Sequence, residues 1–197
     1  MNQADLKSEK FHFGKSTQDL FTMEELENLL NLRPFVNKER LVLTENKKYS
    51  WFGYSWQTDT DTLPVSTLKE IIKKDVAYIR DASRANKKIN KICKELENIF
   101  KRPVDCHIYF SFKKNVEGFN KHKDLNDNFI VLCRGKIKVE VWSNKVTEKI
   151  MKPGDYVFIP KHIDHRITPL TEKRLSCSFP ILPHQGVFDE REWLKLQ

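Results

Sequence analysis

Glycine is scarce in this chain, 6 among 197 residues, and no Gly-rich loop is present to cradle a phosphate, so nucleotide-binding folds lose support. Cysteine is equally sparse: Cys93, Cys106, Cys133 and Cys177 are widely scattered, with no Cys-x-x-Cys pair. That pattern argues against a zinc knuckle, a redox motif or a small disulfide scaffold, and leaves reduced, mostly buried thiols. No stretch approaches the roughly 18 apolar residues of a membrane span, and the opening MNQADLKSEK lacks the apolar segment of a secretory signal. A cytoplasmic protein with no membrane partner is expected. Internal repeats and low-complexity tracts are absent.

What the chain does have is enough apolar material for a core. Hydrophobic residues make up 39%, with Phe alone contributing 13, which excludes fibrous and globally disordered classes. Lys and Arg number 35 against 27 Asp and Glu, a formal charge of +8. Such a balance permits an acidic partner without identifying one. The excess sits in local runs such as Lys73-Lys74, Lys87-Lys88 and Lys113-Lys114, which read as solvated faces, and no aromatic-rich RNA-binding signature accompanies them. Nucleic acid is therefore not the expected partner, and the chain is read as a monomer or homodimer.

Periodicity divides the chain in two. Residues 17–32 carry Leu20, Phe21, Leu26, Leu29 and Leu30 near helical spacing, with Thr17 as a cap and Pro34 as a stop. Between Arg40 and Trp56, LVL, ENKK and YSWFGYSW read as a hairpin or edge strands. Ser66 to Lys101 returns to helical stripes, broken at 76–82 by VAYIRDA, which can be a short strand. Past Pro103, VDCHIYFSF, NFIVLCRG, KIKVEVW, YVFIP and RLSCSFPI alternate with turn residues, the texture of a small barrel or sandwich. The expected organisation is an annex over 1–102, a β core over 103–185 and a charged tail over 186–197.

Chemistry concentrates in that core. His122 and Asp124 precede a strand, and in extended chain residues i and i+2 project to one face, where both can meet one ion. Downstream, Pro153-Gly154-Asp155 turns into a strand ending at Pro160, beyond which His162 and His165 follow. Either could complete a site of two imidazoles and one carboxylate, the facial triad that leaves positions open at non-haem iron.

The segment Gly118-Phe119-Asn120-Lys121-His122-Lys123-Asp124, with Phe129 and Gly135-Lys136 after it, and the segment Pro153-Gly154-Asp155…Ile159-Pro160…His165 together resemble the JmjC and cupin-like Fe(II)/2-oxoglutarate oxygenases. The resemblance runs from about Val104 to Pro183. It implies a mainly β fold, a double-stranded β-helix or jelly-roll barrel with an N-terminal helical α/β annex. It also implies metal ligation by His122, Asp124 and His165, which are the catalytic residues, with His162 left as a turn histidine. Fe(II), O2 and the co-substrate 2-oxoglutarate are the implied cofactors.

For the co-substrate, the family often places a Lys where this chain has Ile137. Arg174 and Ser176, two apart on one strand face, resemble the Arg-x-Ser pair with which other 2-oxoglutarate oxygenases grip the distal carboxylate; a guanidinium suits that task by its bidentate geometry. Tyr109 and Asn128 match family positions that reach 2-oxoglutarate or the metal. A barrel-rim location for Arg174 and purely structural roles for Tyr109 and Asn128 are the bland alternatives. His107 alternates onto the face of Tyr109 as an interior histidine, while His12 has no assigned place. Trp51, Trp56 and Trp142 read as core or rim aromatics.

The implied activity is hydroxylation of a small molecule, an amino acid or a peptide, coupled to decarboxylation of 2-oxoglutarate to succinate. Two other classes stay open: a cupin-type metal dioxygenase or isomerase that does not use 2-oxoglutarate, which Ile137 favours, and a non-catalytic cupin binding module.

Overall fold

The computed structural model describes residues 10–16, 19–32, 41–45, 48–50, 76–116 and 118–183. Thr17, Pro34, Trp51, Trp56, the helical stripe over 66–75, Lys73-Lys74 and the tail over 186–197 lie outside the described residues. In chain order the elements are β1 His12–Lys15, α1 Met23–Leu30, β2 Leu41–Glu45, β3 Lys48–Ser50, β4 Val76–Ile79, α2 Lys87–Phe100, β5 His107–Ser111, β6 Asp127–Arg134, β7 Ile137–Trp142, β8 Val146–Met151, β9 Asp155–Ile159, β10 Asp164–Pro169 and β11 Arg174–Ile181. None of the described helices is long and apolar enough to cross a membrane.

The strands form two sheets. The larger runs β1-β9-β6-β11-β5-β4-β2-β3 and the smaller β10-β7-β8, with every pairing antiparallel. Strands that precede residue 103 continue the barrel's own large sheet: β1 pairs with β9, and β4 with β5. The VAYI interruption is indeed a strand, and LVL leads into a β2–β3 hairpin.

Two apolar layers explain why the core strands read as nearly unbroken hydrophobic runs. In β6, Phe129 and Val131 point to a layer shared with Leu20 and Phe21 and with Leu26, Ile89, Ile92 and Leu96 from the buried faces of the two helices. Their neighbours Ile130 and Leu132 point the other way, into a second cluster with Ile137, Val139, Val141, Val157 and Ile159 between the sheets. A strand covered on both faces loses the hydrophobic and polar alternation of a half-exposed one. In β11 all eight residues are buried. There Leu175, Cys177, Phe179 and Ile181 join the helix-side cluster, while the alternate residues Arg174, Ser176 and Ser178 put a polar stripe on the opposite, inner face.

Three local readings are corrected. The first helix begins at Met23, not near residue 17, because Thr22 builds a capping box: its hydroxyl accepts from the Glu25 amide at 3.1 Å while the Glu25 carboxylate accepts from the Thr22 amide at 2.8 Å. Leu20 and Phe21 are buried ahead of it in an irregular segment that Asn86, the cap of α2, ties down by donating to the Leu20 carbonyl and the Glu25 carboxylate. β8 was not anticipated from sequence: its VTEKIM, an edge strand of the small sheet, exposes Val146, Glu148 and Ile150, so two of its three apolar residues sit on the solvent side and only Met151 is buried. His12 does have a place, on β1 opposite Phe158.

Candidate metal centre and co-substrate pocket

His122 and His165 are brought side by side by an antiparallel bridge in which each amide donates to the other's carbonyl, at 3.1 and 2.9 Å. Their rings stand 4.4 Å apart between centroids. The Asp124 carbonyl accepts from the His162 amide at 2.9 Å, which turns the loop so that the Asp124 carboxylate meets both imidazoles. Its Oδ1 lies 3.6 Å from His122 Nε2 and its Oδ2 lies 3.3 Å from His165 Nε2. One ligand atom from each of the three falls within 4.8 Å of the others, and they form the one such group of His, Cys, Asp or Glu among the described residues. His162 stands outside it, in a turn with φ of 65°.

The imidazoles are oriented for ligation. His122 Nδ1 lies 2.7 Å from the Asn120 carbonyl and His165 Nδ1 lies 3.0 Å from the Ile163 carbonyl. A carbonyl oxygen only accepts, so each Nδ1 carries the proton and each Nε2 faces the centre, the outer-shell arrangement that fixes metal-binding histidines. Burial works against charge on His165, yet the hydrogen bond and charge of Asp124 outweigh it and raise its pKa. Burial, and then the charge of His165, lower that of His122. Burial pushes the Asp124 carboxyl up, but the two histidines and the Asn128 amide together hold it below its ordinary range. Two neutral-capable imidazoles and an ionised carboxylate are a donor set that suits Fe(II).

These three residues line a cavity of about 710 Å³, whose wall also includes Tyr109, Asn128, Arg174 and Ser176. All seven residues singled out from sequence thus share one space. Arg174 is not on the rim: it is 3% exposed, its guanidinium lies over the Tyr109 ring at 5.6 Å, and desolvation lowers its pKa to about 10. The Arg174 Nε, the Ser176 hydroxyl and the Ser111 hydroxyl are buried with no hydrogen-bond partner. Arg174 and Ser111 are directly opposite each other across the β11–β5 ladder, and Ser176 is opposite Tyr109. Buried polar groups without partners are rare because each costs the desolvation of its hydrogen-bonding capacity, and a ligand carboxylate in the cavity would satisfy the two that line it, on Arg174 and Ser176. Ile137 is fully buried in the inter-sheet cluster and is not part of the cavity wall.

Four cavity residues, Ser178, His107, Tyr78 and Phe119, and Ser111 beside them were not assigned chemistry from sequence. Ser178 and Ser111 continue the period-two stripes of Ser176 and Tyr109, a signal that alternation alone could have supplied. His107 lines the cavity and sits 3.5 Å from Asp105. Tyr78 stacks on Tyr109 at 4.7 Å, a contact created by the β4–β5 pairing that no local pattern announces. Phe119 packs edge-on to Tyr109 and against His122. Trp142 is half-buried, beneath Lys121 and Arg166, and is not part of the cavity wall.

The two packed antiparallel sheets form a double-stranded β-helix, a cupin-like jelly roll, and the two-histidine, one-carboxylate cluster lines its cavity. The solved structures of the ribosomal oxygenase YcfD from Escherichia coli share this fold. In complex with cobalt and 2-oxoglutarate, YcfD aligns with a TM-score of 0.62 and 18% identity over 99% of this chain and 54% of that one. In complex with cobalt and succinic acid it aligns with a TM-score of 0.63 and 17% identity over the same shares. The chain therefore spans about half the length of the structures it matches. No family model matches the sequence, and no curated protein matches it.

Proposed function

We propose that this chain is an Fe(II)- and 2-oxoglutarate-dependent oxygenase, a hydroxylase in which His122, Asp124 and His165 hold the metal. The observation that carries the reading is the coexistence, in one cavity, of that cluster with unpartnered buried donors on Arg174 and Ser176. Fe(II) bound there would supply oxygen activation coupled to decarboxylation of 2-oxoglutarate to succinate and CO2. The Arg174 guanidinium and the Ser176 hydroxyl take the distal carboxylate, a charge-assisted grip that also fixes its orientation. Tyr109 supports the guanidinium with its ring face, while Tyr78 and Phe119 wall the space against water. With Arg174 in this place, Ile137 does not count against 2-oxoglutarate, which sets this reading ahead of a cupin dioxygenase or isomerase that does without it.

The substrate is a small molecule, an amino acid or a peptide side chain, and the likeness to ribosomal oxygenases favours the peptide. Four free cysteines fit work in the reducing cytoplasm. The test is anaerobic: Fe(II) and then 2-oxoglutarate are added to metal-free protein, and the weak visible charge-transfer band of the chelate is followed. The band is expected in the wild type and lost in His165→Ala. Tight iron binding with no band on adding 2-oxoglutarate would refute the proposal and favour the cupin alternative.

A further inference from the structure

We propose that Asn128 and Ser178 form a positioning relay that makes Asp124 offer a metal ion one oxygen rather than two; the inference rests on the metal-site reading above. Asn128, on β6, is 7% exposed and Ser178, on β11, is 5% exposed. The Ser178 hydroxyl donates to Asn128 Oδ1 at 3.2 Å, and Asn128 Nδ2 donates to Asp124 Oδ2. The two side chains come from neighbouring strands, diagonal across the ladder in which Ser178 faces Ile130 and Asn128 faces Pro180.

The serine decides which way the amide points. An amide offers an acceptor at one end and donors at the other. With its oxygen engaged by Ser178, the NH2 end is the one turned to Asp124. The reversed amide would set its oxygen against the Asp124 carboxylate oxygen, two acceptors facing each other. Oδ2, 3.3 Å from His165 Nε2, thereby carries the Asn128 hydrogen bond, and Oδ1, 3.6 Å from His122 Nε2, is the oxygen without it.

The consequence concerns open positions. Two imidazoles and one carboxylate oxygen occupy one face of an octahedral ion and leave the opposite face free. A carboxylate that swung to bind through both oxygens would close one of those positions. Keeping Oδ2 on Asn128 thus preserves room for a chelating co-substrate and for oxygen. Neither side chain needs to touch the ion for this, which is how outer-shell partners orient metal ligands.

The experiment measures Mn(II) affinity and the visible bands of the Co(II)-loaded full-length chain for the wild type, Asn128→Leu, Ser178→Ala and Ser178→Thr, with circular dichroism to verify folding. Asn128→Leu is expected to weaken Mn(II) binding about 10- to 100-fold and to change the Co(II) bands. Ser178→Ala is expected to move both readouts in the same direction by less, and Ser178→Thr, which keeps the hydroxyl, to return them to wild-type values. Should Asn128→Leu fail to fold, the two serine variants decide alone. Wild-type affinity and bands in Ser178→Ala would overturn the relay. A wild type that binds neither ion would overturn the oxygenase reading itself, and that outcome is visible before any variant is made.

Discussion

Replacing Arg174 by Met should push stability and binding in opposite directions. In the ligand-free chain the guanidinium is buried, its Nε lacks a partner, and desolvation lowers its pKa from the ordinary guanidinium value to about 10. The folded state therefore holds the proton less tightly than the unfolded chain, which at neutral pH corresponds to about 3 kcal/mol of unfavourable burial. Methionine fills similar space without charge. Allowing for lost packing of the guanidinium on Tyr109, the ligand-free variant should be about 1–3 kcal/mol more stable. Binding should suffer, because hydrogen bonds from a charged donor to a carboxylate contribute about 1.5–3 kcal/mol each. The affinity for 2-oxoglutarate should fall about 10- to 100-fold or more, at roughly 1.4 kcal/mol per factor of ten. Urea unfolding of metal-free protein gives the first quantity, and anaerobic calorimetric titration of 2-oxoglutarate into the Mn(II)-loaded protein gives the second. A variant that is less stable when ligand-free and binds 2-oxoglutarate as the wild type does would refute the reasoning, since Arg174 would then be a structural residue.

Three further outcomes can be checked. His165→Ala should abolish Fe(II) binding while shifting the melting temperature little, because the metal-free fold rests on the two apolar clusters; collapse of the fold would instead indicate a structural metal. Arg166 grips the buried Glu140 through two contacts of 2.7 Å, and this pairing, helped by Lys138, holds the Glu140 carboxyl below its ordinary range. A depressed carboxyl contributes stability that is present above its unfolded pKa and lost as pH falls through the folded value, so the melting temperature of Glu140→Gln should converge on that of the wild type in acid. Because Arg166 is 43% exposed, the difference near neutrality should be only about 0.5–1 kcal/mol. Thr22→Ala should cost about 1 kcal/mol by removing the cap of α1, and Thr22→Ser should restore most of it in thermal melts.

The candidate metal cluster was legible in part because some of its geometry is local. His122 and Asp124 are two apart in extended chain, and the second block carries its own turn, Pro153-Gly154-Asp155, into β9. The third ligand was not fixed by residue type, since His162 and His165 are chemically equal candidates. The bridge that sets His165 against His122, with His162 diverted into a left-handed turn, separates them. β8 escaped notice because an edge strand with one face to water has little hydrophobic signature, and the start of α1 was misplaced because apolar spacing continues through Leu20 and Phe21, which are buried without being helical.

The chain by itself determined that a β-rich core follows Pro103, that its cysteines are free, and that two histidines and an aspartate can meet an ion, because strand alternation and turn chemistry act over a few residues. Which side of a strand faces the cavity was decided only by tertiary structure. β11 alternates polar Arg174, Ser176 and Ser178 with apolar Leu175, Cys177, Phe179 and Ile181, but both faces are buried, so the alternation separates the faces without saying which one lines a cavity. It is the placement of β11 between β5 and β6, under the helices on one side, that turns Arg174, Ser176 and Ser178 inward. The same packing sets Ser111 opposite Arg174 and Tyr78 against Tyr109, contacts between segments up to 63 residues apart in sequence. Those pairings depend on strand order and register, which are properties of the assembled sheet and not of any one segment.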